Sequence, residues 1–333
     1  MNNIDFVKSK EHFDAFFRTM YERQLIWKRR FIDKQSGPWT TDPIFKTYKF
    51  TNVYRELDKN SQYCINKIIR PNANSSLENL VWKTLVFRLF NNPNTFNQAS
   101  FIWLDGIPSY DYFETAKEDY SEFMVSLQNE GQNIFTSAYL IYSSAADGRS
   151  RAEYYTEIVL PKLHSLIKTI IDTCMLAAQP EEILTVLKQV PGVADFIAFE
   201  LYNDLLYINK FTRHILVPFD LNAYVNIGPG SKMGAQLINP SATSKVEIRE
   251  TMYALLHMAE EQLSILSDDY LENMPYAYYD YTDSSYKVTD KFNFTISNIE
   301  HWLCEYSKYA RLFRNTGKKQ KKFISTSKNN VYD

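Results

Sequence analysis

The stretch Ser9-Lys-Glu-His-Phe-Asp-Ala-Phe-Phe-Arg-Thr-Met-Tyr-Glu-Arg-Gln-Leu-Ile-Trp-Lys-Arg-Arg-Phe31 decides the class of fold. Phe13, Phe16, Phe17, Met20, Trp27 and Phe31 recur at three- and four-residue steps, the period of one helix face, and Ser9 stands where an N-cap belongs. The other faces carry Arg18, Arg23, Lys28, Arg29, Arg30 and Lys34 against only Glu22 and Asp33. Two readings of that basic side stay open at this point: a solvated face, or a rim turned to phosphates.

Outward from this helix the pattern repeats. Gly37-Pro38-Trp39 breaks it, and Thr41-Asp42-Pro43 starts another with a capping side chain followed by proline at the first helical position. Val53, Leu57, Cys64, Ile65 and Ile68 predict an apolar stripe on the next helix, with Asn52, Arg55, Asp58 and Gln62 on its opposite side. Ser75-Ser76-Leu77-Glu78 reads as a capping box ahead of Leu80–Phe90. Long amphipathic helices are expected over 109–130, 152–178 and 245–267, and a last one over Ile296–Phe313. Pro180 opens a helix to Val190, Pro191-Gly192-Val193 turns the chain, and Ala194–Tyr207 is helical again. Phe135–Tyr142 is the one strand-like run, and no internal repeat is visible. The expectation is an all-α fold with at most a minor strand pair. It forms one helical domain over 1–314, with lobes of about 1–178 and 179–314, and a basic disordered tail over 315–333.

The composition supports a packed core. The 333 residues are 45% hydrophobic and 23% charged with a formal net charge of −2, which excludes a disordered or low-complexity chain. The most apolar run, Ile158–Ala178, carries Lys162, His164, Lys168 and Asp172 and falls short of a membrane span. The polar, acidic opening residues lack a signal peptide's apolar stretch, so the chain is expected to stay inside the cell. Three dispersed cysteines, Cys64, Cys174 and Cys304, argue against a disulfide framework or a CxxC metal site. Residues 1–310 hold 30 Lys/Arg and 38 Asp/Glu, a net of −8, while seven Lys/Arg and one acid follow from Arg311. A mildly acidic body with a basic tail is no general nucleic-acid coat, yet leaves room for a local nucleic-acid cleft.

Several motifs bear on function. Pro-Gly between two helices is either an ordinary turn or a phosphate-binding hairpin, and Val190-Pro-Gly-Val resembles the hairpin of helix–hairpin–helix DNA glycosylases. Ile227-Gly-Pro-Gly-Ser-Lys-Met-Gly234 spends three of the nine glycines in seven residues, without the spacing of a Walker loop or of GxGxxG. The tyrosines at 276, 278, 279, 281 and 286 fall in a segment read as a loop, either packed by its own rings or offering a stacking platform for bases. Five histidines never approach metal-binding spacing. Three polar clusters lie on otherwise apolar helices: Asn52, Arg55, Asp58 and Gln62; Glu200, Asn203 and Asp204; and Glu300, His301, Cys304, Glu305 and Lys308. Each is either a buried ion-pair network or part of a site, and convergence on one cleft would make the site.

Pro38-Trp-Thr-Thr-Asp-Pro-Ile44 and Tyr48-Lys-Phe-Thr-Asn-Val-Tyr-Arg-Glu-Leu-Asp58 resemble the opening signature of the α-glutamyl/putrescinyl-thymine pyrophosphorylase family, the amino acid:DNA transferases. Pro191–Leu205, Gly228–Gly234 and Ile299–Tyr309 fit the same pattern, and the module also resembles the helical domain of 5-hydroxymethyluracil DNA kinases. The resemblance runs from about residue 10 to 314; Tyr306-Ser307 departs from it where the family commonly has acidic or aromatic residues.

The resemblance implies a glycosylase-like helical fold and a transferase from a phage or virus, acting in the host cytoplasm. It would replace the pyrophosphate of 5-pyrophosphoryloxymethyl-uracil in DNA with an amine or amino acid, after flipping the base. The alternatives are a noncatalytic DNA-binding subunit partnering a 5-hydroxymethyluracil DNA kinase, or a glycosylase-like enzyme on modified bases. The expected partners are modified phage DNA, an amine donor and such a kinase, and the chain has no P-loop of its own. No metal site or required cofactor is expected, with Mg2+ admitted only alongside the pyrophosphate. The catalytic candidates are Arg55, Asp58, Asp204, Cys304, Glu305 and Lys308, with Cys304 read either as a packed thiol or as a nucleophile for C6 of the ring. Trp39, Asp42, Asn52, Gly228, Gly230 and Ser231 are the substrate-binding candidates, and Lys28, Arg29, Arg30, Gly192 and Lys232 the DNA-binding ones.

Overall fold

The computed structural model describes residues 9–136, 141, 148–280, 285–289, 294–316 and 322. The chain is mainly helical, as its periodicity predicts. In order come α1 (Lys10–Trp27), α2 (Pro43–Thr47), α3 (Lys59–Tyr63), α4 (Leu77–Phe90), α5 (Pro93–Ala99), α6 (Phe113–Asn129) and α7 (Arg151–Tyr154). They are followed by α8 (Leu160–Leu176), α9 (Pro180–Leu187), α10 (Asp195–Phe211), α11 (Pro229–Ile238), α12 (Lys245–Leu266), α13 (Tyr270–Asn273), β1 (Tyr276–Asp280), β2 (Ser285–Thr289) and α14 (Ile296–Phe313).

The chain divides into two compact units, and not into consecutive lobes at residue 178. One unit joins Met1–Gln62 to Tyr224–Asp333; the other, Tyr63–Ala223, is inserted between them. The division separates charge as well. The inserted unit holds 12 Lys/Arg and 18 Asp/Glu, a net of −6, and the discontinuous unit 25 and 21, a net of +4.

In the discontinuous unit, Ser9 caps α1 by accepting from the His12 N–H, as expected. Phe13, Phe16, Phe17, Met20 and Trp27 are buried, and α14 supplies Ile299, Trp302, Leu303 and Tyr306 to the core. Phe16 meets Tyr306 edge-on at 5.6 Å, and the Trp302 indole donates to the Phe16 carbonyl at 3.3 Å. After Trp27 the helix widens into a π turn over Lys28–Ile32. The glycines of 228–234 find a packing explanation in α11. A Cβ on Gly234 would stand 2.3 Å from the Leu303 carbonyl, and one on Gly230 would stand 3.0 Å from the Cys304 sulfur. Glycines four residues apart therefore let α11 lie directly on α14.

The single helix expected across 52–68 does not form. Arg55–Leu57 is a 3-10 turn, Asp58 is extended (φ −72°, ψ 140°), and α3 is followed by a π turn over Cys64–Ile69. The Asp58 carboxylate explains the break, because its Oδ1 accepts the Asn52 backbone N–H at 2.9 Å, a local bond that competes with helix. The segment expected to be a tyrosine-rich loop pairs as an antiparallel hairpin, β1 with β2, in the register Tyr276–Thr289 to Asp280–Ser285. Aromatic and β-branched residues favour that extended pairing. Tyr286 packs edge-on against Trp27 at 5.1 Å, and Tyr281 lies outside the described residues. Of the basic tail, Lys322 forms a backbone bridge with Tyr48; residues 317–321 and 323–333 lie outside the described set.

The inserted unit is centred on α4, whose residues from Leu80 to Phe90 are all buried. Its cap is Ser76, accepting from the Asn79 N–H, one residue later than the sequence predicts. Trp82 donates to the Pro108 carbonyl at 2.9 Å, and Phe87 stacks on Tyr63 at 5.2 Å. Helices α9 and α10 are joined by a turn in which Val193 N–H reaches the Val190 carbonyl at 3.0 Å. Gly192 takes φ +79° there, and a Cβ on it would lie 1.9 Å from an Ile141 methyl. Of the strand expected over Phe135–Tyr142, the described residues Phe135, Thr136 and Ile141 are not extended partners; the others lie outside the described set.

Candidate functional site

Within the discontinuous unit, the segment 49–58 and α14 meet side chain to side chain. Arg23, from α1, donates to Asn52 Oδ1 at 2.8 Å and to the Phe50 carbonyl at 3.3 Å. Asn52 in turn donates through its side chain to Asp58 Oδ1 at 3.2 Å and to the Leu57 carbonyl at 2.8 Å. The other Asp58 oxygen faces His301 Nε2 at 3.5 Å. One turn along α14, Glu305 accepts from the Thr51 N–H at 3.3 Å and from Lys308 at 3.2 Å. Lys308 also donates to the Lys49 carbonyl and lies 4.2 Å from the centre of the Phe50 ring. Arg55, 5% exposed, stands on the turn leading to Asp58.

The electrostatics follow from this arrangement. Burial lowers the Arg23 pKa to about 10, with Asp58 and Glu305 opposing the fall, so the guanidinium stays charged at neutral pH. Burial also disfavours the His301 imidazolium, but Asp58 outweighs it, helped by Glu305 and opposed by Arg55, and the net shift is upward. Burial first, then Glu300 and Glu305, push the Cys304 thiol up; it donates to Glu300 Oε1 at 3.6 Å. A neutral thiol in that setting is a poor nucleophile.

Asp42 caps α2, accepting from the Ile44 and Phe45 N–H groups at 2.7 and 3.0 Å, and its second oxygen receives the Tyr309 hydroxyl at 2.6 Å. Trp39 is tied to the basic π turn: its carbonyl accepts from Arg29 at 2.7 Å, and the Arg30 guanidinium lies 5.2 Å from its ring. Lys28 faces Asp33 at 3.3 Å and Glu272 at 3.6 Å. Gly228 N–H donates to the buried Ser231 hydroxyl at 3.1 Å, and Lys232 is exposed on α11.

Asp204 and Gly192 belong to the inserted unit. Asp204 is wholly buried, and its two oxygens accept from Arg88 at 2.5 and 2.6 Å. The sequence sets His301 in the third polar cluster without a role of its own, and sets Arg23 among the cations on the outer faces of the first helix. The signal for His301 was its place on the face that also holds Glu305 and Lys308. Nothing in the sequence marked Arg23 as turned inward. Among the described residues, no group of three or more His, Cys, Asp and Glu side chains is arranged to hold a metal, and no helix is long and apolar enough to cross a membrane.

The family described as 5-hmdU DNA kinase, helical domain, matches residues 10–319, and the chain belongs to that family. It is 27% identical over 312 residues to a 5-hmdU DNA kinase of Bacillus phage SP10, covering 90% of this chain and 45% of that protein. The chain thus spans less than half of that relative's length. No solved structure matches it. The kinship is with the second of the two families that the sequence resembles.

Proposed function

We propose that this chain is a phage-encoded transferase of thymine hypermodification, which replaces the pyrophosphate of 5-pyrophosphoryloxymethyl-uracil in DNA with an amine or amino acid. The observation that carries the reading is the meeting of 49–58 with α14, which gathers Arg55, Asp58, His301, Glu305 and Lys308 in one unit. The chemistry asks for such a set. The C5-methylene C–O bond breaks, pyrophosphate leaves with the bonding pair, and the amine nitrogen bonds to the methylene. Arg55 and Lys308 supply positive charge for the departing pyrophosphate, and Glu305 anchors an ammonium. Arg29, Arg30 and Trp39 offer a strand contact in the unit whose net charge is +4. Asp204 is left out of the set, since Arg88 holds both of its oxygens, and Cys304 is read as a packed thiol. The reaction takes place in the host cytoplasm.

A second reading, a noncatalytic DNA-binding module working beside a kinase, is favoured by the relative's name. One experiment separates them. Kinase-treated hydroxymethyluracil DNA is incubated with this protein and a mixture of amines, and the nucleosides are analysed by mass spectrometry. A new aminated nucleoside with release of pyrophosphate is expected; DNA binding with neither product puts the noncatalytic reading first.

A further inference from the structure

We infer that His301 is the group that takes the proton from the incoming amine, with Asp58 as the residue that positions it. The inference rests on the transferase reading. Asp58 is a carboxylate and can only accept, so the imidazole nitrogen facing it at 3.5 Å, Nε2, carries the hydrogen. The lone pair is thereby placed on Nδ1. Nε2 is buried while the side chain as a whole is 20% exposed, so the ring reaches solvent on the side away from Asp58. The 3.5 Å separation is an electrostatic contact without hydrogen-bond geometry, of the kind that tightens when substrate closes a site.

Asp58 is itself held. Its Oδ1 accepts from the Asn52 backbone and side chain, and Asn52 is held by Arg23. The oxygen left over is the one that faces the ring. The charged groups bearing on His301 are Asp58 and Arg55 from the turn beneath it and Glu305 from its own helix. Their balance outweighs burial and favours the imidazolium, so the ring holds a proton more readily than a free imidazole. In the step, an ammonium N–H proton passes to Nδ1 and the freed nitrogen pair attacks the C5 methylene. The C–O bond breaks, its pair leaves on pyrophosphate, and the product nitrogen sheds its second proton to water. The imidazolium then returns its proton to solvent.

The test has two arms on the full chain. Histidine ring NMR follows His301 in the wild type and in Asp58→Asn; the expected result is a titration above 6.5 that falls in the variant. A His301 titration unmoved by Asp58→Asn overturns the positioning role. In the second arm, His301→Gln should lose ~10²–10⁴-fold in turnover, together with the acid limb of the pH–rate profile, while DNA binding is retained. Asp58→Asn should shift that limb toward acid, which keeps the arm decisive if His301→Gln folds poorly. Wild-type product with an unchanged rate and pH profile in His301→Gln overturns this inference alone. A wild type that makes no aminated nucleoside overturns the transferase reading, and the base assignment with it.

Discussion

Arg88 and Asp204 in the inserted unit are sealed, with side chains 1% and 0% exposed and both carboxylate oxygens on one guanidinium. The cluster in the discontinuous unit is built differently: Asp58, His301, Glu305 and Lys308 are between 15% and 25% exposed, and their ion pairs are 3.2 and 3.5 Å long. A sealed bidentate pair has committed its oxygens within the protein, and its burial leaves a substrate nothing to reach. The open cluster pairs its charges at longer range and keeps an imidazole edge toward solvent. Buried charge near a family signature is thus not enough to mark a site; the capacity left over after the protein's own contacts is what distinguishes one.

The largest expected effect tests the sealed pair. Arg88→Met leaves Asp204 buried without its guanidinium, and the loss of stability should be ~3–5 kcal/mol in urea unfolding. Asp204→Leu added to Arg88→Met should recover part of that loss, since two apolar side chains need no partner. If Arg88→Met unfolds like the wild type, the contrast between the two clusters fails.

Next in size is Lys308→Met. Glu305, the Lys49 carbonyl and the Phe50 ring all hold this cation. Its partly exposed setting limits the cost to ~1–2 kcal/mol. Under the transferase reading, pyrophosphate release should fall by ~10²–10³-fold. Unfolding experiments that show a loss as large as for Arg88→Met would make this cluster architecture as well.

How much of this was legible beforehand depends on the range of the interaction. The caps of α1 and α2, the helical period and the last helix are local, and Ser9, Asp42–Pro43 and Ile296–Phe313 stand where the sequence puts them. The broken segment 52–68 was not legible, because an apolar stripe says nothing of a carboxylate folding back onto the Asn52 N–H. The glycines of 228–234 looked like a ligand cradle, yet the close approach of α11 to Leu303 and Cys304 accounts for Gly230 and Gly234. The opening signature and the C-terminal helix do come together. Asp204 satisfied the same residue-type argument as Asp58, and only the partner 116 residues earlier distinguishes it.

The smallest effect sharpens the open side of the comparison through pH. His301 has its pKa raised in the folded protein: burial works against the charge, and Asp58 and Glu305 more than offset it. A group shifted in that direction adds stability that is fully present below the unfolded value of about 6.5 and is lost as pH rises through the folded value. His12 works the other way. Burial and then Arg314 lower its pKa, so its contribution is present above about 6.5 and declines as pH falls through the folded value. A single melting curve against pH therefore mixes two opposite slopes. The difference between wild type and His301→Gln removes the His12 part, since His12 is common to both. That difference should be largest near pH 5.5 and shrink toward pH 8.5, and Asp58→Asn should flatten it. A difference that grows with pH would mean that the folded protein prefers His301 neutral, and Asp58 would then not be the dominant neighbour of the ring.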